Sequence, residues 1–399
     1  MIHLWHRLED RGRNPLIVVG QRTRSCSAGA EHERVSTLVP SWLPESISTL
    51  YCMAKRRWTV VIGALLVVIG AIGAIGTVSA PSAASRAATP AHVQSETTGA
   101  VYDGDFPDPS VLVVGDRYYA YSTESGGENI QVISSKDLMH WSSRRDALPE
   151  SPNWAQTGFT WAPAVVKSPT GGYEMFFAAR DREQGVQCIG MAVSASPPGP
   201  FVDTSAEPFL CQRSLGGSID PYVFVDGGYR YLIWKSDGAN GKPQQLWSQS
   251  LSANDSSLTG TPSLLLSATS SWEDDVVEGP AMLQTGSGLF LYFSGNRWST
   301  SAYSIGVVGC DTPLGPCVNT PTGQEVSSQS GLSGPGGPTF FVAPDGQTMM
   351  AYAAWTGDPD SPSARRELYM DTVDATGTVP NLVEMVVPDQ DRAADNHRS

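Results

Sequence analysis

From Asp105 onward the chain alternates short apolar runs with polar turns. Val111 to Val114, Tyr118 to Tyr121 and Ile130 to Ile133 are separated by Gly, Asp and Ser, and the same rhythm continues to Val387. Runs of about four to six residues bounded by such turns read as strands rather than helices. The rhythm has a longer period. An X-Pro junction opens each unit, at Asp108-Pro109, Ala162-Pro163, Asp220-Pro221, Gly279-Pro280 and Gly337-Pro338, at intervals of about 54 to 59 residues. Each junction is followed by an apolar run, a Gly-containing turn and a second run rich in Tyr, Phe, Leu and Met. A four-stranded unit of that size cannot bury both faces alone and must pack on its neighbours. The pattern predicts an all-β, five-bladed β-propeller over residues 100–388, followed by a disordered tail over 389–399.

The first strand of a blade lies nearest the axis, so the residues before the five prolines should converge on one hollow. The chain places Asp108, Trp161, Asp220 and Glu278 there, Glu278 one position further back than the two aspartates. One Asp before Pro is an ordinary turn residue. Three carboxylates around one hollow are costly in a fold that could use apolar residues, which makes the set a candidate site.

Composition narrows the chemistry. A net charge of −14 disfavours nucleic acid as a partner, since phosphate backbones call for clustered Lys and Arg. Of six histidines only His140 lies within the repeats, on an expected outer strand of the first blade, which argues against His-based hydrolysis or a His-rich zinc site. Two chemistries remain for carboxylates without imidazole: oxygen-ligand metal binding and glycoside hydrolysis. The latter needs one carboxylic acid to protonate the leaving oxygen and one carboxylate to activate water, and a third carboxylate can hold the acid protonated. Sugar rings stack on aromatics, and Trp161, Trp234, Trp298 and Trp355 fall near inner-strand ends, where core packing is the competing role.

The segment before the repeats has a different character. Residues 1–57 show no clear periodicity, and Met53 is a candidate translation start because Lys55-Arg56-Arg57 and the apolar run 58–78 follow it as an export signal. That run suits a cleaved signal peptide or a retained transmembrane anchor. In both cases the basic cluster places the repeats outside the membrane, behind an Ala/Ser/Pro/Thr-rich tether over 79–99. Cysteine usage agrees with export: Cys188 with Cys211, and Cys310 with Cys317, lie pairwise within single units and are expected to form disulfides.

The segments Asp105-Phe106-Pro107-Asp108-Pro109-Ser110, Phe159-Thr160-Trp161-Ala162-Pro163, Gly217-Ser218-Ile219-Asp220-Pro221 and Glu278-Gly279-Pro280, with Tyr292-Phe293-Ser294-Gly295-Asn296 after them, resemble glycoside hydrolase family 43 across nearly all of residues 100–388. The resemblance implies inverting α-L-arabinofuranosidases, arabinanases or β-xylosidases acting on oligo- or polysaccharides. Asp108 would then be the general base, Glu278 the general acid and Asp220 the residue that tunes the acid and orients substrate. Trp161, Trp234, Arg297 and Trp298 would bind substrate, Arg297 by its likeness to an arginine that follows the acid motif in some members. Many members carry a fifth-blade histidine that helps hold a central calcium. Here that place is Gly337, so no cofactor or metal is expected. The Asn-Asp-Pro-Asn, Arg-Asp-Pro and Glu-Cys signatures of invertase-type propellers do not occur. The competing readings are a non-catalytic carbohydrate-binding propeller and a calcium-stabilised structural one.

Overall fold

The computed structural model describes residues 99–239, 241–318, 324–329 and 331–384. The expected signal or anchor at 58–78, the segment 1–57, the tether apart from Gly99, and the tail lie outside them. Among the described residues no helix is long and apolar enough to cross a membrane.

The strands form five antiparallel sheets in chain order. Blade one is β1 (Ser110–Val114), β2 (Arg117–Ser122), β3 (Gln131–Ser135) and β4 (Arg145–Asp146); blade two is β5 (Ala155–Lys167), β6 (Tyr173–Asp181) and β7 (Gln187–Ser194). Blade three is β8 (Ile219–Asp226), β9 (Tyr229–Ser236), β10 (Gln245–Leu251) and β11 (Leu258–Ser267). Blade four is β12 (Val277–Thr285), β13 (Gly288–Gly295), β14 (Ser304–Cys310), β15 (Cys317–Val318) and β16 (Gln324–Val326). Blade five is β17 (Ser333–Val342), β18 (Thr348–Trp355), β19 (Arg366–Asp374) and β20 (Asn381–Glu384). The first strands touch in a closed ring, β1 to β5 to β8 to β12 to β17 and back to β1.

Alternation along each strand explains the ring. Side chains at odd and even positions leave opposite faces, so each blade offers two apolar faces. The buried core accordingly divides into five clusters, one at each blade interface. The ring is closed by the segment entering blade one, where Val101 N–H donates to Leu368 O at 2.8 Å and Phe106 N–H to Arg366 O at 2.7 Å. In blade two, bridges from β7 to Val202 and Leu210 take the outer position, and the Cys188–Cys211 disulfide fastens that segment. Cys310–Cys317 joins β14 to β15. Both disulfides are those expected from sequence. The stretch Asp137 to Trp141 is a turn and not an outer strand: Asp137 Oδ1 accepts the Met139 and His140 N–H groups at 3.0 and 2.9 Å, a local alternative to sheet pairing.

Between blades two and three, Glu174 and Asp255 are buried together, at 3% and 0% exposure. Arg230 Nε lies 2.5 Å from Asp255, and Ser168 Oγ donates to Glu174 at 2.6 Å. Burial first, and then the neighbouring Asp255, push the Glu174 carboxyl up to about 7. A folded-state value above the ordinary 4.5 contributes stability that is fully present below that pH and is lost as pH rises through about 7. The Tm is expected to fall between pH 5 and pH 8, and Glu174→Gln to flatten that fall. An identical fall in the variant would contradict the assignment.

Candidate active site

The five X-Pro junctions share one backbone conformation. Asp108, Ala162, Asp220, Gly279 and Gly337 all have positive φ, at 52°, 31°, 51°, 54° and 67°. Proline has no N–H for the ladder, and in blades two to five the inner pair slips register there as a bulge. Bulges re-aim side chains, and these five sit around the axis. The two aspartates adopt a left-handed conformation that most non-glycine residues avoid, a cost that concentrates at functional sites. Glu278, one residue before its junction, is the cross-strand partner of Ser294.

A short chain of contacts brings the carboxylates together. Gly279 N–H donates to Asp220 Oδ2 at 2.9 Å, and Gly337 N–H to Ser294 Oγ at 2.9 Å. A β carbon on Gly337 would lie 3.2 Å from Asp108 Oδ1, and one on Gly279 3.2 Å from the Gly337 Cα. Asp108 accepts from Thr123 Oγ1 at 2.8 Å, and that oxygen in turn accepts the Ala162 N–H at 2.8 Å. Blades one, two, three, four and five thus all meet at this hub.

Two buried cations face the acids. Arg366, at 3% side-chain exposure, places Nη1 3.4 Å from Asp108, donates from Nη2 to Gly336 O and Ala353 O, and stacks its guanidinium 5.1 Å from the Tyr303 ring. Lys235, also at 3%, lies 2.8 Å from Glu278 Oε2 and 2.9 Å from Asp237 Oδ1. Burial pushes the Asp220 carboxyl up to about 7, helped by Glu278 and, more weakly, Asp108, and opposed by Lys235. Asp108 is also raised, by burial first, with Arg366 and Thr123 opposing. Lys235 rises well above the ordinary lysine range because Glu278, Asp237 and Asp220 outweigh its burial. Burial of the two cations strengthens their pairing with the carboxylates.

The fifth-blade place is Gly337, which has no side chain to offer a metal, and the Arg366 guanidinium faces Asp108 at 3.4 Å. Among the described residues no three His, Cys, Asp or Glu side chains are grouped to hold a metal.

A family model described as "Glycosyl hydrolases family 43" matches residues 97–379. The chain belongs to that family. An extracellular endo-α-(1→5)-L-arabinanase of Thermotoga petrophila is 32% identical over 162 residues, which cover 32% of this chain and 33% of that protein. An extracellular exo-α-(1→5)-L-arabinofuranosidase of Streptomyces avermitilis is 27% identical over 301 residues, 69% of this chain and 61% of that protein. The chain therefore spans a third to three fifths of these curated relatives. Among solved structures, a thermostable family-43 glycoside hydrolase superposes with TM-score 0.65 at 28% identity, covering 74% of this chain and 98% of that one.

Against this family-43 frame the sequence-derived site divides. Asp108, Asp220 and Glu278 meet at the hub. Trp161 is half-buried in β5 before the second junction. Trp298 is 42% exposed and stacks on Trp355 at 6.0 Å, with Trp355 Nε1–H donating to Trp298 O at 2.7 Å. Arg297 is exposed and pairs with Asp274 at 3.3 Å. Trp234 is a correction: it is fully buried between blades two and three and donates to Gln212 Oε1 at 2.8 Å. Strand alternation is the reason, because Lys235 takes the face toward Glu278 and Trp234 must take the other. Sequence reasoning missed Lys235, Arg366, Thr123 and Tyr303. For Lys235 the signal was present, as a lone charge ending the apolar run Tyr231 to Trp234.

Proposed function

We propose that this chain is an exported, inverting glycoside hydrolase acting on arabinose- or xylose-containing glycans. The observation that carries the reading is the meeting of Asp108, Asp220 and Glu278 at one hub, where the charge of Glu278 bears on both aspartates and that of Asp108 on Asp220. Glu278 protonates the glycosidic oxygen, Asp108 takes a proton from the attacking water, and Asp220 orients the sugar and favours the protonated acid. The arabinanase and arabinofuranosidase relatives support the substrate class. Their extracellular naming and the two disulfides support a propeller outside the cytoplasm, with the basic and apolar segment 55–78 as export signal or membrane tether. Release of reducing sugar from linear arabinan or from nitrophenyl arabinofuranoside and xyloside tests the reading; oligosaccharide binding without any release would favour a carbohydrate-binding propeller instead.

Trp298 and Trp355 provide the sugar-stacking surface in this reading. Trp355 is the cross-strand partner of Arg366, so both leave the same face of blade five, and Arg366 reaches Asp108. Trp298→Ala is expected to raise KM about fivefold while kcat stays near the parent value, since stacking of this kind contributes on the order of 1 kcal/mol to ground state and transition state alike. An unchanged KM on oligosaccharide would remove Trp298 from the site.

A further inference from the structure

The buried lysine at the hub has no place in two-carboxylate chemistry, yet it makes the shortest contact to the acid. Lys235 projects from β9 at 3% exposure, and its ammonium bridges Glu278 Oε2 at 2.8 Å and Asp237 Oδ1 at 2.9 Å. An ammonium has three donors and no acceptor. An oxygen that accepts from it cannot present its own proton along that line, so the proton of Glu278 is left to Oε1. Asp237 follows β9 at the start of the next loop and is 40% exposed, so it holds the other side of the ammonium from the solvent edge.

We propose that Lys235 is a positioning residue that keeps the acid proton of Glu278 on Oε1, and that Asp237 sets how much of the ammonium's charge Glu278 feels. This rests on the reading of Glu278 as the general acid. In the step itself the Oε1 proton passes to the glycosidic oxygen as that oxygen takes the electron pair of the breaking C–O bond. The water oxygen bonds to the anomeric carbon and gives a proton to Asp108. Glu278 ends as a carboxylate facing an ammonium already in place, which needs no reorganisation as the charge develops. Besides Lys235, the groups whose charge bears on this region are Asp220, Asp108, Asp237, Tyr303 and Arg366.

The two partners of the lysine have opposite consequences. Removing a positive charge beside a carboxyl favours its protonated form, and removing the competing negative charge leaves the ammonium to act on Glu278 more fully, which favours the ionised form. Lys235→Met should therefore move the alkaline limb of kcat/KM to higher pH, and Asp237→Asn should move it to lower pH. Leaving groups separate positioning of the acid from general damage. Arabinobiose or xylobiose needs the proton, whereas the dinitrophenyl glycoside of the same sugar departs without it. Lys235→Met is expected to lose about 10²-fold on the disaccharide and less than about tenfold on the dinitrophenyl glycoside. Glu278→Gln is the reference: the same selectivity there, with none in Lys235→Met and no opposed movement of the pH limbs, would overturn the lysine's role alone, while a Glu278→Gln variant as active as the parent on the disaccharide would overturn the acid assignment beneath it. Because Asp237 lies at the solvent edge, Asp237→Asn keeps the proposal testable even if the buried Met variant folds poorly.

Discussion

Glu278→Gln is expected to lower kcat/KM by about 10³-fold on a glycan with a poor leaving group, because the amide cannot supply a proton to the departing oxygen. Asp108→Asn should cost at least as much, and on every substrate, since activation of water is needed whatever group departs. The two variants therefore separate the acid from the base without reference to any other protein. Both replacements keep side-chain size. Each carboxyl also faces a buried cation of another blade, Arg366 for Asp108 and Lys235 for Glu278, so the Tm is expected to fall in both variants, and activity is compared below that transition. Activity of either variant close to the parent level, measured on linear arabinan and on disaccharide, would contradict the role given to that residue.

Arg366→Met is expected to lower stability by about 3 kcal/mol and to lower activity with it. The guanidinium joins three things: the Asp108 carboxylate at 3.4 Å, the carbonyls of Gly336 and Ala353 at 3.3 and 3.2 Å, and the ring of Tyr303. Removing one partner of a buried ion pair typically costs about 3 to 5 kcal/mol, and the lower figure applies because Asp108 is about a third exposed and can be reached by water. Two carbonyl oxygens also lose a donor, and methionine has none to offer. Thermal denaturation and kcat at pH 6 and pH 8 check the expectation. A variant with parental Tm and parental activity would show that Arg366 neither braces the hub nor serves the base.

Much of this was legible in the chain because the propeller writes its period into the sequence. The five X-Pro junctions mark the places where a bulge turns each inner strand toward the axis, so Asp108, Asp220 and Glu278 could be assigned to one hub from spacing alone. Strand runs were legible for the same reason, through alternation and turn residues. Side-chain direction within a run was harder. Trp234 and Lys235 are neighbours on β9 whose side chains leave opposite faces; the charge ending the apolar run marks Lys235 as unusual, and the packing of Trp234 between blades two and three leaves the Glu278 side to Lys235. Arg366 was missed because its partner Asp108 lies 258 residues earlier, across the seam where the ring closes. The Asp137 turn was misread because its carboxylate supplies hydrogen bonds that a sheet would otherwise make.

Gly337 shows how a departure from a family pattern acquires a physical reason. With φ at 67° and Asp108 Oδ1 3.2 Å from where a β carbon would stand, a side chain here would be strained and would press on Asp108. The positive charge facing Asp108 comes from Arg366, which is covalently part of the fold. The hub is thus built from two clamped pairs, Asp108 with Arg366 and Glu278 with Lys235, and Asp220 feels the charge of Glu278, Lys235 and Asp108.

Proton NMR of the first sugar released from an α-L-arabinofuranoside or a β-xyloside, recorded before the free sugar mutarotates, tests the central claim most directly. Direct attack of a water held by Asp108 gives the opposite anomer to that of the substrate. Release of the same anomer would mean that a carboxylate attacks the sugar itself, and the roles assigned to Asp108 and Glu278 would fall together.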